Sequence, residues 1–363
     1  MIIIVEMLQT RQARNLAAIL ERAATFGSAA AVVVTREGEV IYRAGRGVTR
    51  SWDAAEGNGT APVPTRRPAH VVTADTRFDL ASVTKPIVAA ALLVELERRG
   101  SGVDLALAEA LPEFQNPAMR RITVAHLLSH TAGFPPEWAR RRPDPYARGF
   151  RQDARPYAMP GGAVEYSCVG YIWAGILAEE LAGRPLPEVV ENNVLGPLGM
   201  RATGFAPAPA QRPEIPATED QPGRGMVQGE VHDETAFDLG GVAGNAGIFG
   251  SANDLVTFLE TIRCGAGEQL PPRVRRALVT PVTAPPDERS YGMACNEEWM
   301  APLGNAVGHR GFTGTAIVTQ PAGEFSIVFL TNRVHPTRHG VDLARLREEL
   351  VATVIDPEGA ADE

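Results

Sequence analysis

Residues 82–99, SVTKPIVAAALLVELERR, carry apolar side chains on most faces of a helix, so the segment has no solvent side of its own. A helix of this kind is stable only inside a protein, with other elements packed round it. Upstream, residues 8–26 place Leu8, Leu16, Ile19, Leu20 and Ala23 at helical spacing, with Gly27 as a stop. AAVVVTREGEVIYRAG reads as two β-rich runs joined at Glu37–Gly38, a hairpin, and EGNGTAPVPTRRPAH as a loop by its Gly and Pro content. From about 101 to 229 come shorter helical pieces broken by prolines, among them ITVAHLLSH, YIWAGILAEELAG and LPEVVENNVLGPLGM. Strand character returns in VGHRGFTGTAIVTQPAGEFSIVFLTNR, two or more antiparallel strands with a turn at Pro321–Gly323. VDLARLREELVATVI ends the pattern as a helix with Val341, Leu343, Leu346, Leu350 and Val354 apolar. This order implies one α/β domain made from both ends of the chain, residues 1–100 and 230–363, with a mostly helical domain inserted at 101–229.

The 363 residues suffice for two units of ordinary size or one catalytic domain with a large insertion, and 44% hydrophobic with 21% charged residues describes a globular protein. Net charge is −8, and the clusters Arg66–Arg67, Arg98–Arg99 and Arg140–Arg142 lie among acids, which argues against nucleic acid as a partner. Cys168, Cys264 and Cys295 lack the spacing of a metal site or disulfide framework and point to a reducing compartment. MIIIVEMLQTRQ has four apolar residues after Met1, then Glu6, and reads poorly as a secretory signal. No run approaches the roughly 18 apolar residues of a membrane span. A cytoplasmic location is the expectation.

Of 35 Lys and Arg residues, one is a lysine, Lys85, and it sits in the buried helix. Arginine keeps its proton, whereas lysine can be made neutral by burial or nearby positive charge, so a chain that accepts arginine elsewhere points to a need for a removable proton here. The alternative is that drift left one lysine. Ser82 lies three residues earlier, on the same face of the first helical turn, so hydroxyl and amine can meet as nucleophile and base. The helix N-terminus favours a developing alkoxide and disfavours the ammonium. A lysine of reference pKa near 10.4 is neutral in about one molecule in 2,500 at pH 7, and bringing that pKa to roughly 7 takes ~4–5 kcal/mol. With nine serines in 363 positions, one falls three places before the only lysine by chance roughly one time in forty.

Two further stretches carry chemistry. In PGGAVEYSCVGYIWAG, Tyr166 ends a glycine-rich loop before an apolar helix, where a phenol beside a cationic amine can act as a base; the alternative is a loop tyrosine capping the core. In VGHRGFTGTAIV, His309, Arg310 and Gly311 precede a β-rich run, and an edge strand with glycine there admits a substrate close to the backbone and can offer an N–H to an oxyanion, worth about 3–4 kcal/mol. Taken alone, a histidine before a strand is more often a structural residue than a functional one.

Together these elements resemble the serine β-lactamase and penicillin-binding-protein superfamily, in the branch of class C β-lactamases, D-alanyl-D-alanine carboxypeptidases and related esterases, over about residues 27–335. SVTK matches the family's S-x-x-K, Tyr166–Cys168 falls at its Y-x-N, and His309–Gly311 at its K-T-G or H-x-G. ITVAHLLSHTAGF, VLGPLGM, VHDETAFDLGGVAGNAGIFGSANDLVTF and FLTNRVHP follow family landmarks in order. The resemblance implies an α/β sandwich, an antiparallel sheet flanked by helices, with a helical domain beside it and the site in the cleft between. It implies Ser82 as the acyl-accepting nucleophile, Lys85 as proton relay, Tyr166 as general base or acid, His309 on the strand side of the cleft, and the N–H groups of Ser82 and Phe312 as the oxyanion hole. Two positions depart from the pattern. Cys168 replaces an asparagine that contacts the lysine and a substrate amide, and Arg310 stands where threonine or serine is usual, either to attract a carboxylate or to turn to solvent.

His126 and His130 are spaced as metal ligands could be, but no further ligand is evident and structural hydrogen bonding is the expectation. Cys168 could be a nucleophile; as Ser82 and Lys85 already fill that role, a buried small hydrophobe is expected. VHDE, residues 231–234, reads as a loop packed beneath the cleft. The reading is a serine hydrolase needing no metal or other cofactor, acting on a small ester, amide or β-lactam through an acyl-enzyme. An acyltransferase with the same intermediate, or a non-catalytic sensor using the same cleft, are the alternatives. Oligomeric state is not legible.

Overall fold

The computed structural model describes residues 10–54, 61–138, 148–265, 269–340 and 342–356; Leu8, the loop residues 56–60, Arg140–Arg142 and Val341 fall outside them. In chain order the elements that build the site are α1 (Thr10–Phe26), β1 (Ala29–Arg36), β2 (Glu39–Gly47), α2 (Thr84–Arg98), α3 (Cys168–Ala182), α4 (Ala252–Cys264), β3 (Ala294–Cys295), β4 (Val307–Arg310), β5 (Ala316–Thr319), β6 (Phe325–Thr331) and α5 (Ala344–Ile355).

The six strands form one antiparallel sheet in the order β3-β4-β5-β6-β1-β2. Its centre pairs β1 with β6, Val33 opposite Val328, so the two ends of the chain share a ladder. Successive side chains in a strand point to opposite faces. Ala29, Ala31 and Val33 pack into the core that holds α2, α3 and α4, while Ala30, Val32 and Val34 meet Leu16, Ile19 and Leu20 of α1 and Leu346, Leu350 and Val354 of α5. Both faces are therefore covered, which is why β1 reads as an apolar run without alternation. The architecture is the expected α/β sandwich, an antiparallel sheet flanked by helices.

The hairpin between β1 and β2 turns at Glu37 (φ 51°) and Gly38 (φ 90°), the positive-φ pair that suits the twist of a two-residue connection. Gly27 does more than stop α1. A Cβ there would lie 2.3 Å from the Asn332 carbonyl oxygen, and Asn332 Oδ1 accepts hydrogen bonds from Ser28 N (3.0 Å) and Ala29 N (2.9 Å), latching the start of β1 to the end of β6.

Helix α2 is sheathed on all sides, with Ile87, Val88, Leu92, Leu93, Val94 and Leu96 all buried. At roughly 1.5–3 kcal/mol for each such side chain, that burial exceeds the several kcal/mol that removing one ammonium from water costs. The helix can thus carry a fully buried Lys85. A small sheet of Phe78–Asp79, Ile248–Gly250 and Gly204–Phe205 fixes the approach to α2.

Candidate active site

Ser82 lies in a 3-10 turn, Ala81–Val83, that leads directly into α2. Ala81 before it has φ 46°, a left-handed conformation that costs a non-glycine residue on the order of 1–3 kcal/mol unless its surroundings enforce it. Here the buried Asp79 enforces it: Oδ1 accepts from Ala81 N (2.8 Å) and Oδ2 from His232 N (2.7 Å). Burial nonetheless pushes the Asp79 carboxyl above its ordinary pKa, against the pull of the His232 contacts and the Ala81 N–H. Pro86 sits in the first turn of α2, where a missing N–H leaves no helical bond unmade.

Lys85 is buried completely and its Nζ reaches Ser82 Oγ at 2.8 Å, the Asn245 carbonyl oxygen at 3.0 Å and Cys168 Sγ at 3.5 Å. Three acceptors for one amine match the three donors of an ammonium. Burial pulls the amine's pKa down, Cys168 and Tyr166 act in the other sense, and the net shift is upward. That direction runs against the expectation of an uncharged amine, in which burial was weighed without the two ionisable groups that meet this lysine across the fold.

Tyr166 precedes the N-cap of α3. That cap, Ser167, accepts from Gly170 N (3.1 Å) and donates to the Pro135 carbonyl (2.6 Å), which fixes where the tyrosine enters the cleft. The Tyr166 ring centroid lies 5.0 Å from Lys85 Nζ and 6.1 Å from the His309 ring. His130 holds this corner from behind. Its Nδ1 accepts from Ser167 N (3.0 Å), its carbonyl from Glu165 N (2.8 Å), and its ring packs 4.6 Å from that of Tyr166. Burial and the Lys85 charge push its pKa well below the ordinary value, so the ring is neutral with the proton on Nε2. His126 takes a different task, Nδ1 capping the Thr123 N–H at 3.0 Å. The two histidines thus serve separate hydrogen bonds, and among the described residues no cluster of His, Cys, Asp or Glu is placed to hold a metal.

Strand β4 brings His309 and Arg310 to the opposite wall. His309 is buried, and its Nδ1 lies 2.9 Å from the Arg310 carbonyl oxygen, which can only accept. Its pKa too is driven well down, by burial first and then by Lys85, leaving a neutral ring with an unprotonated Nε2. Arg310 follows neither expectation simply: its side chain is half exposed, and Nε pairs with Glu297 Oε2 at 3.1 Å. Cys168 is only partly buried and lines the cleft beside Lys85, which corrects its reading as a buried hydrophobe.

The turn after β4 is bolted to the segment that leads into Ser82. Thr313 Oγ1 donates to the Asp79 carbonyl (2.8 Å) and Thr315 Oγ1 to the Leu80 carbonyl (2.9 Å). The Phe312 N–H has no acceptor among the described residues. Its ring is gripped by His232 (5.5 Å, stacked), Arg333 (5.0 Å) and Arg338 (5.6 Å). Arg338 is held in turn by Glu219 and Glu234, and His232 Nε2 meets Glu219 Oε2 at 2.9 Å. His232, Asp233 and Glu234 thus stand on the cleft wall rather than beneath it, as VHDE had been read. None of Asn245, Asp79 or Glu219 was singled out in the sequence, and the positive φ of His130 (59°) becomes visible only in three dimensions.

Gly311 shows why glycine is required here. A Cβ would fall 2.0 Å from Thr315 Oγ1 and 2.6 Å from the Leu80 carbonyl oxygen, so the glycine admits the Ser82 segment itself, not only a substrate. Gly311→Ala is expected to cost about 1–3 kcal/mol of stability by overpacking and to lower kcat at least tenfold by pushing Phe312 away from Ser82, as thermal unfolding and steady-state kinetics would register.

The cleft enclosed by these walls has a volume of about 700 Å³ and is lined by Ser82, Tyr166, Cys168, His309, Gly311 and Phe312 among others. The profile of the beta-lactamase family matches residues 16–352. The chain is 28% identical over 369 residues to N-acetylmuramyl-L-alanine amidase of Bacillus subtilis (strain 168), covering 90% of this chain and 82% of that protein. Among solved structures it is similar to EstCE1, a hydrolase with promiscuous acyltransferase activity, at TM-score 0.73 and 23% identity over 95% of this chain and 99% of that one. A class C beta-lactamase superposes with TM-score 0.77 at 15% identity over 99% of each chain. At those identities the two structures speak for the fold, and the profile match speaks for descent: this chain belongs to the beta-lactamase family, a family of serine hydrolases.

Proposed function

We propose that the protein hydrolyses a small ester or amide through an acyl-Ser82 intermediate. The observation that carries this reading is the 2.8 Å contact between the hydroxyl of Ser82 and the amine of the only lysine, at the floor of an open cleft. Ser82 Oγ attacks the carbonyl carbon as Tyr166, acting as the phenolate partner of the Lys85 ammonium, takes its proton and becomes the phenol, with the ammonium offsetting the charge that develops on Oγ. The N–H groups of Ser82 and Phe312 receive the oxyanion. Collapse of the tetrahedral species breaks the bond to the leaving group, which departs with the proton held by Tyr166. Water then attacks the acyl carbon, gives up its proton by the reverse route, and frees the acid and Ser82. Lys85 and His130 hold the base in place throughout.

The test is to incubate the protein with p-nitrophenyl butyrate, a chromogenic cephalosporin and a D-Ala-D-Ala peptide, following product release and intact mass, and to map any adduct by peptide digestion. Turnover with an adduct on the peptide containing Ser82 is the expected result. An adduct that clears only on adding an alcohol or amine selects acyl transfer. Neither adduct nor turnover with any of the three overturns catalysis and favours a sensor.

A further inference from the structure

VHDE, residues 231–234, takes no part in the acyl chemistry, yet its histidine touches both segments that supply the oxyanion hole. The His232 N–H donates to Asp79 Oδ2 (2.7 Å), and the other oxygen of that buried carboxylate accepts from Ala81 N (2.8 Å), one residue before Ser82. The His232 ring stacks on that of Phe312, with centroids 5.5 Å apart and planes 27° from parallel. Its carbonyl accepts from Gln221 Nε2 (2.9 Å), and its own Nε2 meets Glu219 Oε2 at 2.9 Å. Burial opposes ionisation of Glu219, but hydrogen bonds from His232 and Arg338 hold its carboxyl well below the ordinary range. Glu219 therefore accepts and His232 Nε2 donates. Main chain, ring nitrogen and ring face are each committed, in a residue only 3% exposed.

The two donors of the hole come from different elements, and the Phe312 N–H is the less constrained of them. Gly311 N donates to the Thr315 carbonyl (2.7 Å) and Arg333 Nε to the Phe312 carbonyl (3.1 Å). Neither bond directly fixes the plane of the peptide between Gly311 and Phe312, which carries the N–H and adjoins a glycine, the residue least resistant to rotation. Phe312 is 48% exposed, so its ring needs an anchor. Arg333 and Arg338 approach it with the ends of long side chains, whereas His232 is buried and held on three sides. We infer that His232 is a positioning residue for the oxyanion hole, holding the Ser82 and Phe312 N–H groups at the spacing that one oxyanion needs. Such donors act from about 2.7–3.1 Å, and a displacement of about 1 Å costs on the order of a hundredfold in rate. Histidine suits the post because its flat ring stacks while its N–H bonds a buried carboxylate. Phenylalanine offers only the first and glutamine only the second. This role rests on the proposed acyl-Ser82 chemistry for the identity of the hole.

Two variants separate the contacts: His232→Gln keeps an Nε2–H for Glu219 and loses the stack, while His232→Phe keeps the stack and loses the hydrogen bond. With p-nitrophenyl butyrate, His232→Gln is expected to lower kcat by about tenfold to a hundredfold and to leave KM within about threefold of wild type. His232→Phe should retain most of kcat. Melting temperature should move the other way, falling in His232→Phe, which strips Glu219 of a donor, and staying near wild type in His232→Gln. A merely structural role predicts that kcat follows melting temperature in both variants. Butylboronic acid, whose tetrahedral adduct on Ser82 places one oxygen in the hole, reads the same geometry without turnover. Its dissociation constant, measured by calorimetric titration, should rise in His232→Gln by a factor close to the fall in kcat/KM and stay near wild type in His232→Phe. Equal kcat in wild type and His232→Gln, or an unchanged boronate affinity, overturns the role and leaves the acyl chemistry standing. A wild-type protein that neither turns over the ester nor binds the boronate overturns both.

Discussion

Ser82→Ala is expected to lower kcat by roughly a million-fold, the scale seen when the nucleophile of a serine hydrolase is removed, while the protein folds as before. The fold is spared because Ser82 Oγ is bonded only to Lys85 Nζ among the described residues, and the ammonium keeps the Asn245 carbonyl and Cys168 Sγ as partners. What remains is the cleft and the free Phe312 N–H, which bind and polarise a carbonyl but form no covalent bond. Stopped-flow release of p-nitrophenol and intact mass read the two halves separately: the variant should show no burst and no adduct. A fall of less than about a hundredfold, the scale of a lost auxiliary donor, would place the nucleophile elsewhere.

The second large effect belongs to Lys85→Arg, expected to cost roughly a thousandfold or more in kcat/KM. The charge is conserved in this exchange, so the loss reports geometry rather than simple electrostatics. The planar fork of a guanidinium cannot place donors on Ser82 Oγ, Asn245 O and Cys168 Sγ together. It is also larger, in a site with no solvent exposure, so a loss of about 1–3 kcal/mol of stability accompanies it. Kinetics and thermal unfolding on one preparation separate the two losses. A folded Lys85→Arg protein with wild-type turnover would remove the amine from the mechanism.

Local features of the site were legible in the chain before any coordinates. Ser82 and Lys85 lie one helical turn apart, so their meeting follows from helix geometry alone, and the all-round apolar faces of α2 announced its burial. Tyr166 and His309 stood out by resemblance and by glycine punctuation. Contacts carried by backbone were hidden: the Asn245 carbonyl on Lys85 and the Asp79 and Leu80 carbonyls under Thr313 and Thr315 leave no mark on residue type. The direction of the Lys85 shift was hidden for a related reason. Desolvation can be guessed from an apolar helix, but its net effect depends on Cys168 and Tyr166, which reach the amine from some eighty residues away in sequence. Arg310 could not be placed because its partner, Glu297, belongs to a segment with no recognisable pattern.

The pairing of β1 with β6 joins residues 30–36 to 325–331. During synthesis Ser82 and Lys85 therefore emerge long before the strands on the opposite wall of the cleft, and the apolar β1 waits for a partner made far downstream. Pairings of such long sequence separation are slow to form and leave an open strand edge exposed meanwhile. A nascent chain has its serine and lysine early but acquires a complete cleft only when its final third has docked.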